Sequence, residues 1–160
     1  MANLTRNASP SDNAAEGGEN LGRQFILSFS LDSAVAANLD GGAIPGSFLQ
    51  RHVVKRRCGI RAANGFRANA GAAGGTLIQV QRDPLNAGAP VDVLTSQLAF
   101  VQASGANLTA DSLVDVGHAD YDAATGLIIC EPGDVVSVIM DAGEGVGTAG
   151  LAISVQCEWL

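Results

Sequence analysis

The chain has 160 residues, of which 47% are apolar and 4% aromatic, and its formal net charge is −7. A domain of this length buries roughly two-thirds of its unfolded surface, so it can build a core without disulfides or a metal. The net acidity argues against general nucleic-acid binding, which needs a basic surface or groove. No apolar run approaches the roughly 20 residues that span a bilayer, so neither nucleic acid nor membrane is an expected partner.

The first 22 residues differ in composition from the rest of the chain. They are small, polar and aperiodic, and such a segment cannot offset its own ordering entropy by burying apolar surface. Residues 1–22 are therefore predicted to form a flexible N-terminal arm that is idle or orders on a partner, and 23–160 to form the folded domain. Met1–Gly22 also has no apolar core of the kind that a secretory signal requires.

The remainder reads as β-structure. The C-terminal stretch is clearest, because Leu151, Ile153, Val155, Cys157 and Trp159 alternate with smaller or polar residues, which is the pattern of a half-buried antiparallel strand. One short helical turn is conceivable at 32–39. Gly, Pro and Asn punctuate the strands, so we predict an antiparallel β-sandwich or barrel. The predicted strands are 25–31, 52–62, 76–81, 91–95, 98–102, 127–130, 135–140 and 151–159.

The basic residues are segregated. Every Lys and Arg precedes Asp83, and the stretch from Arg51 to Arg67 carries six of the nine without an intervening acid. In the predicted 52–62 strand, Val54, Cys58 and Ile60 point to one face, and side chains two apart share a face. The opposite face then carries four like charges, which would meet acid from another chain, or else would meet this chain's own acidic half or face water. These four are Arg51, Lys55, Arg57 and Arg61. The predicted partner-binding residues are Arg51, Lys55, Arg57, Arg61 and Arg67.

No catalytic or cofactor site emerges from the motifs. Residues 145–150 match a dinucleotide-binding glycine pattern, but a strand follows where a helix is required. Asp115, His118, Asp120 and Asp122 could be metal ligands, yet their spacing fits no calcium loop and favours a solvated loop. We expect no enzyme activity, no cofactor and no metal. Three widely spaced cysteines, Cys58, Cys130 and Cys157, are typical of buried thiols in a reducing compartment.

Three segments carry a resemblance to a known family. Gly74–Arg82 leads through a turn to Val91–Ser96, Cys130–Val138 holds a Pro-Gly-Asp turn, and Gly147–Val155 closes the set. Together they resemble the jelly-roll decoration (cement) proteins and head fibres of tailed-phage capsids. The chain departs from that pattern at Arg82-Asp83-Pro84, where an Asn-Gly turn is typical, and in its dense basic stretch.

The resemblance implies a fold, a function and partners. It implies an antiparallel β-sandwich of jelly-roll type that binds the major capsid protein as a homotrimer. Such a protein is synthesised in the host cytoplasm and stabilises the exterior of the virion head. The alternative is a trimeric receptor- or glycan-binding module of a phage fibre, although such tips commonly present several aromatic residues and follow a shaft.

Overall fold

The computed structural model describes residues 23–31, 51–69, 75–101, 109, 111–142 and 149–160. The predicted N-terminal arm and the helical turn at 32–39 lie outside these ranges. The strands, in chain order, are β1 (Gln24–Leu31), β2 (Arg51–Val53), β3 (Cys58–Asn69), β4 (Gly75–Asp83), β5 (Val91–Asp92), β6 (Leu98–Val101), β7 (Ser112–Leu113), β8 (Tyr121–Asp122), β9 (Leu127–Cys130), β10 (Val135–Ala142) and β11 (Ala149–Trp159); a 3-10 turn occupies Pro84–Asn86.

The described strands form two antiparallel sheets that pack face to face. The first sheet has the order β1-β11-β3-β9-β8, with β7 also paired to β3. The second has the order β2-β10-β4-β5, with β6 also paired to β4. The chain thus pairs from the outside inward: β1 with β11, β2 with β10, β3 with β9, and β4 with β5 and β6. A long hairpin rolled up in this way is a jelly roll, as expected.

The core lies between the sheets and follows the period-two pattern. In β11, Leu151, Ile153, Val155 and Cys157 are buried, whereas Ala152 between them is exposed. This confirms the alternation read from the sequence. All three cysteines are buried free thiols within this core. The fully buried apolar side chains that fill it include Phe29, Ile60, Ile78, Val80, Val93, Ile128, Val136, Val138, Ile153 and Val155.

One side of the sandwich is closed by backbone pairing between the sheets. Leu94 bridges Val114, and the Thr95 N–H donates to the Leu113 carbonyl at 3.0 Å. The Gln79 side chain fills the gap between β5 and β6 along the edge of β4, since its amide exchanges two 3.2 Å hydrogen bonds with the Leu94 backbone. The side-chain amide takes the place of a backbone partner for Leu94. The buried amide and the Leu94 backbone therefore satisfy each other's hydrogen bonds.

Candidate functional site

The segment predicted as one basic strand is two strands in different sheets. β2 ends at Val53 in the second sheet, and β3 begins at Cys58 in the first. Arg51 therefore belongs to one sheet and Arg61 to the other, while Lys55–Arg57 lie in the crossover between them. The prediction of a single strand with four cations on one face is wrong. The three consecutive exposed residues at 55–57 show why, because a half-buried strand must alternate.

The crossover lies close to the first and the last residues that the structure describes. The Leu160 N–H donates to the Arg57 carbonyl at 3.3 Å, and the Trp159 N–H donates to the Arg23 carbonyl at 2.8 Å. Four exposed cations, Arg23, Lys55, Arg56 and Arg57, thus gather at one end of the sandwich. We call this group the basic end. Arg23 was not in the predicted set, because its approach depends on the pairing of β1 with β11.

An aromatic pair supports the basic end. Trp159 stacks on Phe25 with ring centroids 4.0 Å apart and an interplanar angle of 17°. The guanidinium carbon of Arg56 lies 5.7 Å from the centroid of the Trp159 ring, within the range of a cation–π contact. Beside the pair is a cavity of about 120 Å³ whose lining includes His52, Lys55 and Cys58. Alternation placed Trp159 in a strand, but its neighbours could not be known without the strand pairing.

Two of the predicted contact residues are already paired within the chain. Arg57 Nε lies 2.9 Å from Glu131 Oε1, and an Arg61 terminal nitrogen lies 2.9 Å from Glu158 Oε2. Both acids come from the half of the chain that has no Lys or Arg. The alternative in which the cations meet this chain's own acids therefore holds for these two. The Arg57 pair is about half exposed on both sides, and such a pair contributes ~0–1 kcal/mol.

Other cations remain available for a partner. Within the residues that the structure describes, Arg23, Arg51, Lys55 and Arg56 form no ion pair. Three of them belong to the basic end, and Arg51 lies on β2. Partner binding by Arg51 and Lys55 stays a prediction.

Arg67 is buried inside the sandwich, so the prediction that it is an exposed partner contact is wrong. Its guanidinium carbon lies 5.6 Å from the centroid of the Phe100 ring. The cause is a bulge in β3, where the register to β11 shifts between Gln156 and Cys157. Arg61 and Arg67 would share a face in a regular strand, since they are six residues apart. One extra residue reverses the faces beyond it, so Arg61 points outward and Arg67 inward.

A buried ion pair holds the turn at residues 131–134 in place, beside the basic end. Asp134 accepts hydrogen bonds from Arg82 Nε at 2.8 Å, from the Leu85 N–H at 2.9 Å and from the Glu131 N–H at 2.8 Å. Burial alone would raise the pKa of Asp134, but these donors outweigh it and keep that pKa below its ordinary value. Arg82 also bonds Asp120. The Arg at the start of the unusual Arg82-Asp83-Pro84 sequence is thereby explained, because Arg82 is the buried partner of this turn.

The same turn positions the crossover of the basic end. The Val54 N–H donates to the Asp134 carbonyl at 2.8 Å, and the Gly133 N–H donates to the Val54 carbonyl at 2.9 Å. The crossover and the turn thus form one hydrogen-bonded unit. This hydrogen-bonded unit was not predictable from the sequence. The only available signal was Arg82 itself, a single basic residue near the end of β4.

The acidic segment that could have held a metal is built of turns. Asp115 accepts the Gly117 N–H at 2.8 Å, and Asp122 accepts Thr125 Oγ1 at 2.7 Å, which lowers the pKa of Asp122. His118 is buried, and its Nδ1 accepts the Asp120 N–H at 3.1 Å. In the described part of the chain, no cluster of three or more His, Cys, Asp or Glu side chains is arranged to hold a metal ion.

Comparison of the chain with family models, with curated proteins and with solved structures gave no match. The described ranges contain no helix with the length and hydropathy of a bilayer-spanning segment. The fold and the chemistry of the surface are therefore the available indications of function.

Proposed function

We propose that the protein is a structural virion protein, a decoration (cement) protein that binds the outer surface of a tailed-phage capsid as a trimer and stabilises the head. The observation that carries the proposal is where the resembling segments lie. β4 and β10, which hold two of them, pair with each other, and the third forms β11, the last strand of the jelly roll. A fold by itself does not define a function, so the surface must supply the binding chemistry.

The basic end supplies that chemistry. Arg23, Lys55 and Arg56 are exposed cations without an ion-pair partner among the described residues, on a protein of net charge −7. An acidic site on the major capsid protein would complement them and would steer the encounter. The buried Arg82–Asp134 pair and the stacked aromatic residues hold the supporting backbone in position before binding, which lowers the ordering cost.

A glycan-binding fibre tip receives less support from the same residues. Sugar recognition by stacking needs an available aromatic face. Trp159, the chain's one tryptophan, already stacks on Phe25 and carries the guanidinium of Arg56. The decoration role makes no such demand.

Neutralising the two unpaired crossover cations tests the proposal. We expect Lys55→Gln/Arg56→Gln to weaken binding to undecorated capsid shells about tenfold, since two lost ion pairs of about 0.7 kcal/mol each correspond to that change in Kd. Co-sedimentation of purified protein with shells at low and high salt measures it. The difference between variant and wild type should shrink as salt rises, because exposed charges are screened over about 8–10 Å at physiological ionic strength.

A matched control separates local contact from net charge. Ser96→Glu/Ala99→Glu changes the net charge by the same amount at exposed positions on the β5–β6 segment, and it should bind shells like wild type. Equal binding by all three proteins would overturn the role of the basic end. Imaging of intact particles tests the function itself: copies distributed over the capsid lattice support decoration, and copies confined to the tail contradict it.

A further inference from the structure

Two of the three cysteines face each other across neighbouring strands. Cys58 is the first residue of β3 and Cys130 is the last residue of β9, and the register places them directly opposite each other. Directly opposite residues of an antiparallel pair have Cα atoms about 4.5–5.5 Å apart and point to the same face of the sheet. Here that face is the core, where both side chains are buried. A disulfide needs a Cα separation of about 4.4–6.8 Å, so the strand pairing supplies the spacing.

The third cysteine is placed differently. Cys157 lies on β11, on the other side of β3 from β9, and the residue opposite it is Ile60 rather than Cys58. Cys58 and Cys157 are therefore diagonal neighbours, about 7–8 Å apart, which is beyond the usual range of a disulfide. Cys130 and Cys157 are separated by two strand spacings, or roughly 10 Å. Of the three thiols, one pair can close and Cys157 is left over.

The two opposed thiols also contact each other. The Cys130 thiol shares a hydrogen bond with the Cys58 sulfur, and this bond lowers the pKa of Cys58 despite burial and the nearby Asp134 carboxylate. The same bond, together with burial, raises the pKa of Cys130. The contact brings the sulfur atoms next to each other and favours Cys58 as the one that ionises. A thiolate is the nucleophilic form of cysteine.

A cavity gives a small molecule access to Cys58. The cavity of about 120 Å³ beside the aromatic pair is lined by Cys58 but not by Cys130. Val53 and Lys55 also line it, and both are exposed, so the cavity reaches the surface at the basic end. Since one water occupies about 30 Å³, hydrogen peroxide can enter this space, whereas a bulky disulfide reagent such as oxidised glutathione cannot.

We propose that Cys58 and Cys130 form a disulfide when the folded protein meets hydrogen peroxide. The Cys58 sulfur attacks one peroxide oxygen, the O–O bond breaks, and Cys58 becomes a sulfenic acid while one water leaves. The Cys130 sulfur then attacks the Cys58 sulfur, the S–O bond breaks, and the departing hydroxide takes the Cys130 proton as a second water. The two thiols are oxidised by two electrons, and the peroxide is reduced to two waters.

The bond would staple the support of the basic end. Cys58 follows the crossover directly, and Cys130 directly precedes the turn at residues 131–134 that bonds the crossover. The disulfide closes a loop of about 70 residues, and the stabilisation from closing a loop increases with its length. We expect the oxidised protein to melt at least about 5 °C higher than the reduced protein. This chemistry does not depend on the proposed function, because it uses only the folded chain and an oxidant.

Peptide mapping of the folded full chain tests the proposal. Purified, reduced protein is treated with hydrogen peroxide without denaturant, its remaining thiols are alkylated, and the unreduced digest is analysed by mass spectrometry. The wild type should yield a peptide that links Cys58 to Cys130, with Cys157 alkylated. Thermal unfolding before and after treatment should show the rise in Tm, and a reducing agent should reverse it.

Two variants separate the pair from the third cysteine. Cys157→Ala is the matched control, since it removes another buried thiol, and it should form the same link as the wild type. Cys130→Ala should form no link and show no rise in Tm, and dimedone should instead trap a sulfenic acid at Cys58. Should Cys130→Ala fold poorly, the link in the wild type and in Cys157→Ala decides the question.

Three results would overturn the proposal. They are the absence of a Cys58–Cys130 peptide after treatment of the folded protein, a link that includes Cys157, and a link that leaves the Tm unchanged.

Discussion

Asp134 is the residue on which the turn beside the basic end depends. Its carboxylate is buried and joins the backbone of two loops to the guanidinium of Arg82. Asp134→Asn should destabilise the domain by about 3 kcal/mol, because it keeps the shape but leaves Arg82 without its buried counter-charge. Urea denaturation measures this as a lower midpoint with an unchanged slope.

Glu131→Gln, three residues away in the same turn, is the matched control for that substitution. It removes the exposed partner of Arg57 and should cost less than about 1 kcal/mol. Equal losses for both variants would show that the buried pair has no special role.

The pH dependence of stability follows from two residues of this region. Burial lowers the pKa of His118, and Asp120 only partly offsets that effect. The pKa of Asp134 is also held below its ordinary value. In both cases the unfolded chain binds protons at a higher pH than the folded protein does, so stability falls as the pH falls. The His118 contribution is complete above about pH 6.5 and the Asp134 contribution above about pH 4.

We therefore expect two steps of acid destabilisation. The first begins as the pH drops below about 6.5, where unfolded histidine takes up a proton that buried His118 resists. The second begins near pH 4, where unfolded aspartate becomes protonated. Urea midpoints measured from pH 8 to pH 3 report both steps. His118→Asn should remove most of the first step and leave the second. A midpoint that rises on acidification would contradict the directions of both pKa shifts.

At the scale of the element, β3 is the strand whose geometry matters most. Its bulge turns Arg61 outward and brings Gly65 against the core. A Cβ at Gly65 would lie 2.7 Å from Phe100 Cζ and 2.9 Å from Ile153 Cδ1, closer than side chains can approach. Gly65→Ala should therefore cost about 1–3 kcal/mol through overpacking, measured by thermal or urea unfolding.

A double substitution identifies the cause of that loss. Phe100→Leu replaces the ring that meets the added methyl group with a shorter side chain. The double variant Gly65→Ala/Phe100→Leu should therefore lose less stability than the sum of the two single variants. Additive costs would show that the strain arises elsewhere, for instance in the hydrogen bonds between Gly65 and Thr109.

Element by element, the sequence predicted the strands whose alternation is regular and failed where it is interrupted. β1, β4, β10 and β11 lie close to their predicted positions. The 52–62 prediction merged two strands, and the part of β3 beyond Ala62 was missed, because Ala63, Gly65 and Arg67 do not read as an apolar face. Small residues and a bulge remove the period-two signal even though the strand is fully paired.

At the scale of the molecule, the fold class was predictable and the site only in part. Alternation is local, so an all-β sandwich can be inferred without knowing which strands pair. The neighbours of Lys55 and Arg57 cannot, because Arg23 and Trp159 are brought to them by pairing across nearly the whole chain. The exposed cations at 51, 55, 57 and 61 were recognised by their charge. Arg67 was assigned wrongly because burial of a single Arg leaves no mark in the sequence.

The pairing of the first strand with the last has a consequence for biosynthesis. β1 forms its ladder with β11, whose final residue in the ladder is Glu158. At about 5–20 residues per second, a ribosome needs on the order of ten seconds to make the intervening chain. Throughout that interval the apolar segment Gln24–Leu31 has no partner from its own molecule, and an unpaired strand of this kind invites pairing with other nascent chains. The sequence thus carries an aggregation hazard during synthesis, and the pairing of β1 with β11 reduces it once the chain is complete.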